Sequence, residues 1–152
     1  MKRKSVMLLL AGFVLFTACE KENEGNETKI SQFNSDESHN AGQNCMLCHV
    51  SGGEGEGWFT VAGTIYDNSL SAPAQNATVT LTTAASGGGT VVATLEADQL
   101  RNFYTTENVS FADGLYAMIE GEGGTKKYMS SSLSSGKCNS CHGSTVEKLS
   151  IE

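Results

Sequence analysis

The sequence predicts a mainly β protein: an antiparallel sandwich flanked by two short segments that contain cysteine and histidine. Three observations support this prediction. Between residues 58 and 122, short runs of β-branched and aromatic residues recur, and turn residues such as Gly87-Gly88-Gly89 and Asp113-Gly114 separate them. No amphipathic helical pattern interrupts these runs. On each side of the region, the pentapeptide pattern Cys-x-x-Cys-His occurs once.

The first residues of the chain predict export. Basic residues at 2–4 precede an apolar run at 6–16, which is too short to span a bilayer of ordinary thickness. The sequence Phe-Thr-Ala-Cys at 16–19 resembles a bacterial lipobox. We therefore expect residues 1–18 to be a lipoprotein signal peptide and Cys19 to be the lipidated residue. A plain signal peptide that is cleaved elsewhere is the alternative.

Charge distinguishes the part of the chain beyond the predicted signal. The chain has 17 acidic and 10 basic residues, and three of the basic ones lie in the signal, which leaves 7 against 17, or a formal charge of −10. Residues 19–36 start with an acidic, polar run that predicts a disordered tether. An acidic surface repels nucleic acid and favours partner proteins with basic docking patches. We therefore expect no nucleic-acid partner.

The first three predicted strands follow this tether and the first Cys-x-x-Cys-His segment. Residues 58–66 are rich in β-branched and aromatic types and end at an Asp-Asn pair. In 77–83, Val79 and Leu81 alternate with threonines, which predicts one apolar and one polar face. Residues 90–95 resume the extended pattern after three glycines.

Two further strands complete the predicted sandwich. Residues 102–109 place Phe103 and Thr105 on one face and the intervening residues on the other. In 115–120, which follows an Asp-Gly turn, leucine, alanine and isoleucine alternate with tyrosine and methionine. Five short strands at this spacing are typical of an antiparallel sandwich.

The two pentapeptides predict covalent haem attachment. In a Cys-x-x-Cys-His motif, each cysteine forms a thioether with the haem, and the adjoining histidine is the proximal ligand of the iron. We therefore predict two haem c groups, one in segment 37–57 and one in segment 123–152. The predicted attachment residues are Cys45, Cys48, Cys138 and Cys141, and the predicted proximal ligands are His49 and His142.

Two alternative interpretations use the same cysteines. An oxidising compartment permits a disulfide within each Cys-x-x-Cys pair. The two pairs can also build one tetrahedral zinc site between them. Neither alternative gives a role to the histidine that follows each pair at the same offset, so we favour haem.

The distal ligands decide whether each iron is open or closed. His39 is the remaining histidine, and we expect it to ligate an iron from the distal side. A methionine then completes the other site, for which Met129 is favoured over Met46 and Met118 because a flexible serine-rich connector follows it. A bis-histidine haem has the lower reduction potential and a histidine–methionine haem the higher one. Exposed-loop and packing roles are the alternatives for His39 and Met129.

The region 58–122 contains Val-Ala-Gly-Thr-Ile-Tyr at 61–66, Ala-Thr-Val-Thr-Leu at 77–81, Asn-Phe-Tyr at 102–104 and Gly-Leu-Tyr at 114–116. In these runs it resembles a transthyretin-like or carboxypeptidase-regulatory-like sandwich, an immunoglobulin-like arrangement. Arg101 stands where that family usually has glycine, so we expect a turn centred on residues 98–101. The whole chain resembles small multihaem c-type cytochrome lipoproteins.

These patterns predict an electron carrier that is anchored to a membrane of a Gram-negative bacterium, in the periplasm or at the cell surface. With two six-coordinate irons, no site remains for peroxide or oxygen. A dihaem peroxidase with an open iron, and a binding or adhesion module with structural haems, are the alternatives. Because domain termini often lie close together, we expect the two haem segments to be neighbours on the sandwich.

Overall fold

The computed structural model describes residues 25–152, and the predicted signal peptide and Cys19 lie outside the described residues. The mainly β prediction is confirmed, because strands in two sheets enclose one apolar core. The strands of the described part are β1 Val61–Thr64, β2 Thr78–Thr82, β3 Val91–Glu96, β4 Asn102–Thr105, β5 Tyr116–Glu120, β6 Lys126–Tyr128 and β7 Gly136–Lys137.

The strands form a three-stranded sheet, β4-β1-β7, and a four-stranded sheet, β3-β2-β5-β6. Each paired couple is antiparallel except β1 and β7, which run parallel with Val61 opposite Gly136. Strands β6 and β7 arise from the stretch that the sequence analysis assigned to the second haem segment. Their brevity explains why composition did not reveal them: β6 is three exposed residues, and β7 is only two residues long.

The alternating pattern of β2 positions the core as predicted. Val79 and Leu81 are buried, whereas Thr78 and Thr80 are only half-buried. From the facing sheet, the Phe103 side chain fills the core and is fully buried. Burying side chains of this size contributes about 1.5–3 kcal/mol each, so this apolar layer is the main source of stability.

The turn between β3 and β4 lies at the position that the resemblance led us to expect. The Arg101 amide donates to the Asp98 carbonyl at 3.0 Å, and Arg101 has a φ of 78°. That left-handed backbone conformation is one that glycine adopts at little cost and that other residues rarely adopt. The Asp98 carboxylate stabilises the turn by accepting from the amides of Leu100 and Asn102, both at 2.9 Å.

The chain contacts the sandwich before the first haem segment. The Ser31 amide donates to the Tyr104 carbonyl, and the Thr106 amide donates to the Lys29 carbonyl. Residues 26–31, which the sequence analysis placed in the tether, therefore lie along β4. Within residues 25–152, no helix has the length and apolar character needed to cross a membrane.

Candidate haem sites

The two Cys-x-x-Cys-His motifs have the same local structure. Each begins with a single-turn 3₁₀ helix, Cys45–Leu47 in one and Cys138–Ser140 in the other. In both motifs the histidine amide donates to the carbonyl of the first cysteine at 3.0 Å. Side chains at positions i and i+3 of a 3₁₀ turn lie on the same side. Each pair of thiols is therefore presented together, as attachment to one porphyrin requires.

Both motif histidines are oriented by a backbone carbonyl that follows them in sequence. His49 Nδ1 lies 2.9 Å from the Glu56 carbonyl, and His142 Nδ1 lies 2.9 Å from the Glu147 carbonyl. Because a carbonyl can only accept, Nδ1 carries the proton in both rings and donates it. The lone pair is then on Nε2, and a ring held in this way is the usual arrangement of a metal-binding histidine.

The glycine-rich loop after the first motif shapes the surroundings of His49. The His49 ring stacks on Phe59 with centroids 4.2 Å apart, and Phe59 stacks on Tyr104 at 4.8 Å. A Cβ atom added to Gly55 would lie only 2.7 Å from the Cγ and Nδ1 atoms of His49. The loop therefore needs glycine at position 55 in order to pack against the imidazole.

A cleft of about 520 Å³ lies beside the first motif. Cys45, Cys48 and His49 line it, and so does His39. The ring centroids of His39 and His49 are 5.7 Å apart. Two imidazoles that bind one metal from opposite sides, through bonds of about 2 Å, have centroids roughly 6 Å apart. The structure thus brings the predicted distal and proximal histidines to nearly that spacing.

A second cleft of about 640 Å³ lies beside the second motif and contains Cys138, Cys141 and His142. Met129 lines this same cleft. Met118 does not, because its sulfur lies beside Gly87 on the other side of β5, and Met46 lines neither cleft. Of the three methionines considered, Met129 alone is brought together with His142.

The four motif thiols are free in the structure. Burial raises the pKa of the Cys138 thiol to about 12, and burial also raises the pKa of Cys45 above its ordinary value. Redox-active Cys-x-x-Cys pairs have a lowered thiol pKa instead, because the thiolate is the reactive form. Cys45 and Cys138 therefore lack the lowered thiol pKa that is typical of a redox-active pair.

The structure also bears on the zinc alternative. Within residues 25–152, no three Cys, His, Asp or Glu side chains converge in the manner of a metal site. The four cysteines instead form two pairs, each in its own cleft. Two thiols on one turn, a histidine with a free Nε2 and a neighbouring cleft make a donor set that fits one haem c at each motif.

A buried polar network joins the two motif segments to each other and to the sandwich. The Asn139 amide, inside the second motif, donates to the Gln43 carbonyl at 2.8 Å and to the Thr64 hydroxyl at 2.9 Å. Its Oδ1 accepts from the Thr64 amide at 3.1 Å. The Thr64 hydroxyl donates to Asn102, whose amide donates to the His39 carbonyl at 3.0 Å. The two segments are therefore neighbours, as expected from the closeness of domain termini.

Gly63, in the middle of β1, allows the second motif to approach the sheet. A Cβ atom added at this position would lie only 2.8 Å from the Cys138 Cβ atom. It would also collide with the Phe103 ring. We expect Gly63→Ala to lower the free energy of unfolding by about 1–3 kcal/mol, because overpacking forces side chains off their preferred rotamers. Chemical denaturation measures this change.

Gly123→Ala is the matched control for that variant, since nothing lies within 4 Å of a Cβ atom at Gly123. Its free energy of unfolding should stay close to that of the unaltered protein. Equal stability of the Gly63 and Gly123 variants would contradict the close approach of the second motif to β1.

Sequence reasoning found the motif residues but missed the groups that orient them. The carbonyls of Glu56 and Glu147 leave no trace in residue type. Sequence reasoning also gave Gly55 no role, although its lack of a side chain is what the His49 ring requires. Asn139 occupies a variable position of its motif, and only its burial at 6% exposure reveals its role.

No predicted site residue within the described part is left isolated. The attachment cysteines, proximal histidines and distal candidates lie in two clefts, one per motif, and Cys19 lies outside the described residues. Comparison with known protein families, with curated proteins and with solved structures finds no match to this chain. The resemblances to c-type cytochromes and to transthyretin-like sandwiches therefore stay predictions.

Proposed function

We propose that this chain is a dihaem c-type cytochrome that carries electrons between redox partners. One observation supports the proposal above all: both Cys-x-x-Cys-His motifs pair a thiol-bearing turn with a histidine whose Nδ1 donates to a following carbonyl. When bound, each haem supplies an iron that exchanges one electron. The chain's own residues hold, orient and insulate these two centres.

The protein residues have distinct tasks in this proposal. Cys45 and Cys48 attach the first haem, and Cys138 and Cys141 attach the second. The Nδ1 hydrogen bonds keep the proximal imidazoles in one tautomer and one orientation, which would leave Nε2 available to the iron of a bound haem. The network through Asn139 fixes the two motif segments relative to each other.

Export and anchoring are part of the proposal. A signal peptide at 1–18 and a lipidated Cys19 would tether the protein to a membrane, in the periplasm or at the cell surface of a Gram-negative bacterium. The formal charge of −10 beyond the predicted signal supports docking on partner proteins with basic patches rather than on nucleic acid. Such docking is expected to weaken as salt is added.

Distal ligation by His39 and Met129 is tested by single substitutions. We expect His39→Ala to change the spectrum and potential of the first haem alone, because the His39 and His49 rings share the first cleft. Met129→Ala should likewise affect only the second haem and lower its potential, since a thioether ligand raises potential. Visible spectra and a potentiometric titration of the oxidised and reduced protein measure both effects.

Met118→Ala is the control for Met129, because this methionine is also half-buried but lies outside the second cleft. Its spectra should match those of the unaltered protein. A high-spin iron in the unaltered protein would contradict the electron carrier, because it would indicate an open site of the kind that a peroxidase needs.

A further inference from the structure

Basic side chains are concentrated at the second cleft. Residues 25–152 contain fourteen acidic residues and only six basic ones. Three of these six line the cleft that contains His142, together with a single glutamate, Glu147. The rim of the second cleft therefore has a formal charge of +2 in an otherwise acidic protein. The six basic residues are Lys29, Arg101, Lys126, Lys127, Lys137 and Lys148, of which the last three line the cleft.

The first cleft has the opposite balance. One lysine and three glutamates line it, which gives a formal charge of −2. Lys29 and Glu56 form an ion pair, and this contact raises the lysine pKa and lowers the glutamate pKa. Glu37 and Glu54 have no ion-pair partner within residues 25–152. The two clefts thus differ by four formal charges.

The contacts of the second-cleft lysines leave their charges intact. Lys127 Nζ donates to the Ser150 carbonyl at 2.7 Å, and Lys148 Nζ lies 4.4 Å from the centroid of the Tyr66 ring. Both partners are neutral. Lys137 immediately precedes the first cysteine of the second motif, so its charge is close to the attachment point.

We propose that this charge difference makes the second haem site the electron-accepting end of the protein. Reduction adds one negative charge to a site, so nearby positive groups stabilise the reduced form and nearby negative groups stabilise the oxidised form. The lysines would stabilise the reduced form of the second haem either by their own positive charge or by neutralising the carboxylates of the haem. The inference rests on the proposed function and deepens it by assigning a direction.

The electron transfer that follows is balanced and involves no proton. With haem bound, one electron would pass from the site at His49, which would be oxidised, to the site at His142, which would be reduced. The charges of the two clefts favour electron transfer from the first haem site to the second. The predicted distal ligands favour the same direction, because methionine ligation gives the second haem the higher potential. The charge effect is separate from ligation, however, so it should persist in a Met129→Ala protein.

The test is a triple variant, Lys127→Gln, Lys137→Gln and Lys148→Gln, in the haem-loaded chain. We expect the reduction equilibrium constant of the second haem to fall by about three- to tenfold, where tenfold is 59 mV for one electron. The first haem should stay unchanged. Potentiometric titration with spectra recorded at each step measures the potentials of both haems. Variants that keep only one Cys-x-x-Cys-His motif show which transition belongs to which haem. The difference in second-haem potential between the unaltered protein and the triple variant should shrink in high salt.

Two further variants make the test specific. Glu37→Gln with Glu54→Gln should raise the potential of the first haem and leave the second unchanged, which keeps the proposal testable even if the lysine variant fails to fold. Lys126→Gln is the matched control, because Lys126 pairs with Glu120 and lies outside the second cleft. An unchanged potential in both cleft variants, with two haems bound, would overturn this inference. A chain that binds no haem would instead overturn the proposed function.

Discussion

A chain in which Cys138→Ala and Cys141→Ala are combined is expected to carry one covalently bound haem instead of two. The remaining haem should have the spectrum of the first site, because His49 and its carbonyl partner lie in a separate cleft. The second cleft loses its attachment atoms but keeps the Asn139 network. Haem that survives denaturation, quantified per chain by its visible spectrum, measures the result.

The mirror variant, Cys45→Ala with Cys48→Ala, should also carry one haem, with the spectrum of the second site. Ser140→Ala is the control within the second motif, because Ser140 is exposed and its hydroxyl donates to the Lys137 carbonyl. That protein should keep both haems. If either double-cysteine variant retained two covalent haems, the assignment of the attachment residues would be refuted.

Asn139→Ala is expected to lower the free energy of unfolding by about 2–4 kcal/mol, the largest stability loss that we predict. The substitution removes three hydrogen bonds and leaves the Thr64 amide and the Gln43 carbonyl without their partner. A buried polar group that loses its partner costs about 1–3 kcal/mol. Because the network is buried, water cannot readily replace the lost bonds. Denaturant titration gives the change.

Ser140→Ala again provides the comparison, since it lies next to Asn139 in the same motif but is exposed. Its effect should stay within about 0.5 kcal/mol, as is usual for surface substitutions. A loss of the same small size in Asn139→Ala would show that the network does not hold the two segments together.

The sequence was informative where function or burial imposes a local pattern. The alternation of Val79 and Leu81 with threonines correctly predicted which face of β2 enters the core. The presence of Arg101 in place of the expected glycine predicted the turn at 98–101. In the structure, Arg101 adopts the left-handed backbone conformation there. The motif spacing placed two thiols and a histidine within one turn because that geometry is local.

The sequence did not predict those features of the structure that depend on contacts between distant residues. Asn139 bonds to Gln43, 96 positions away, and to Thr64, 75 positions away. Nothing in the residue types specifies that register. Strand β7 is likewise defined by its partner: Gly136 lies so close to Val61 that a side chain there would collide with β1. Long-range pairing of this kind is fixed by tertiary packing rather than by local propensity.

The haem content of the purified, matured chain tests the central claim most directly. The protein should be produced with its own signal in a bacterium that has a c-type maturation system, then denatured, and its haem and protein quantified separately. We predict two haems per chain that resist extraction by acid and organic solvent, as thioether-linked haem does. A ratio of one or zero, or haem that is fully extractable, would contradict the account.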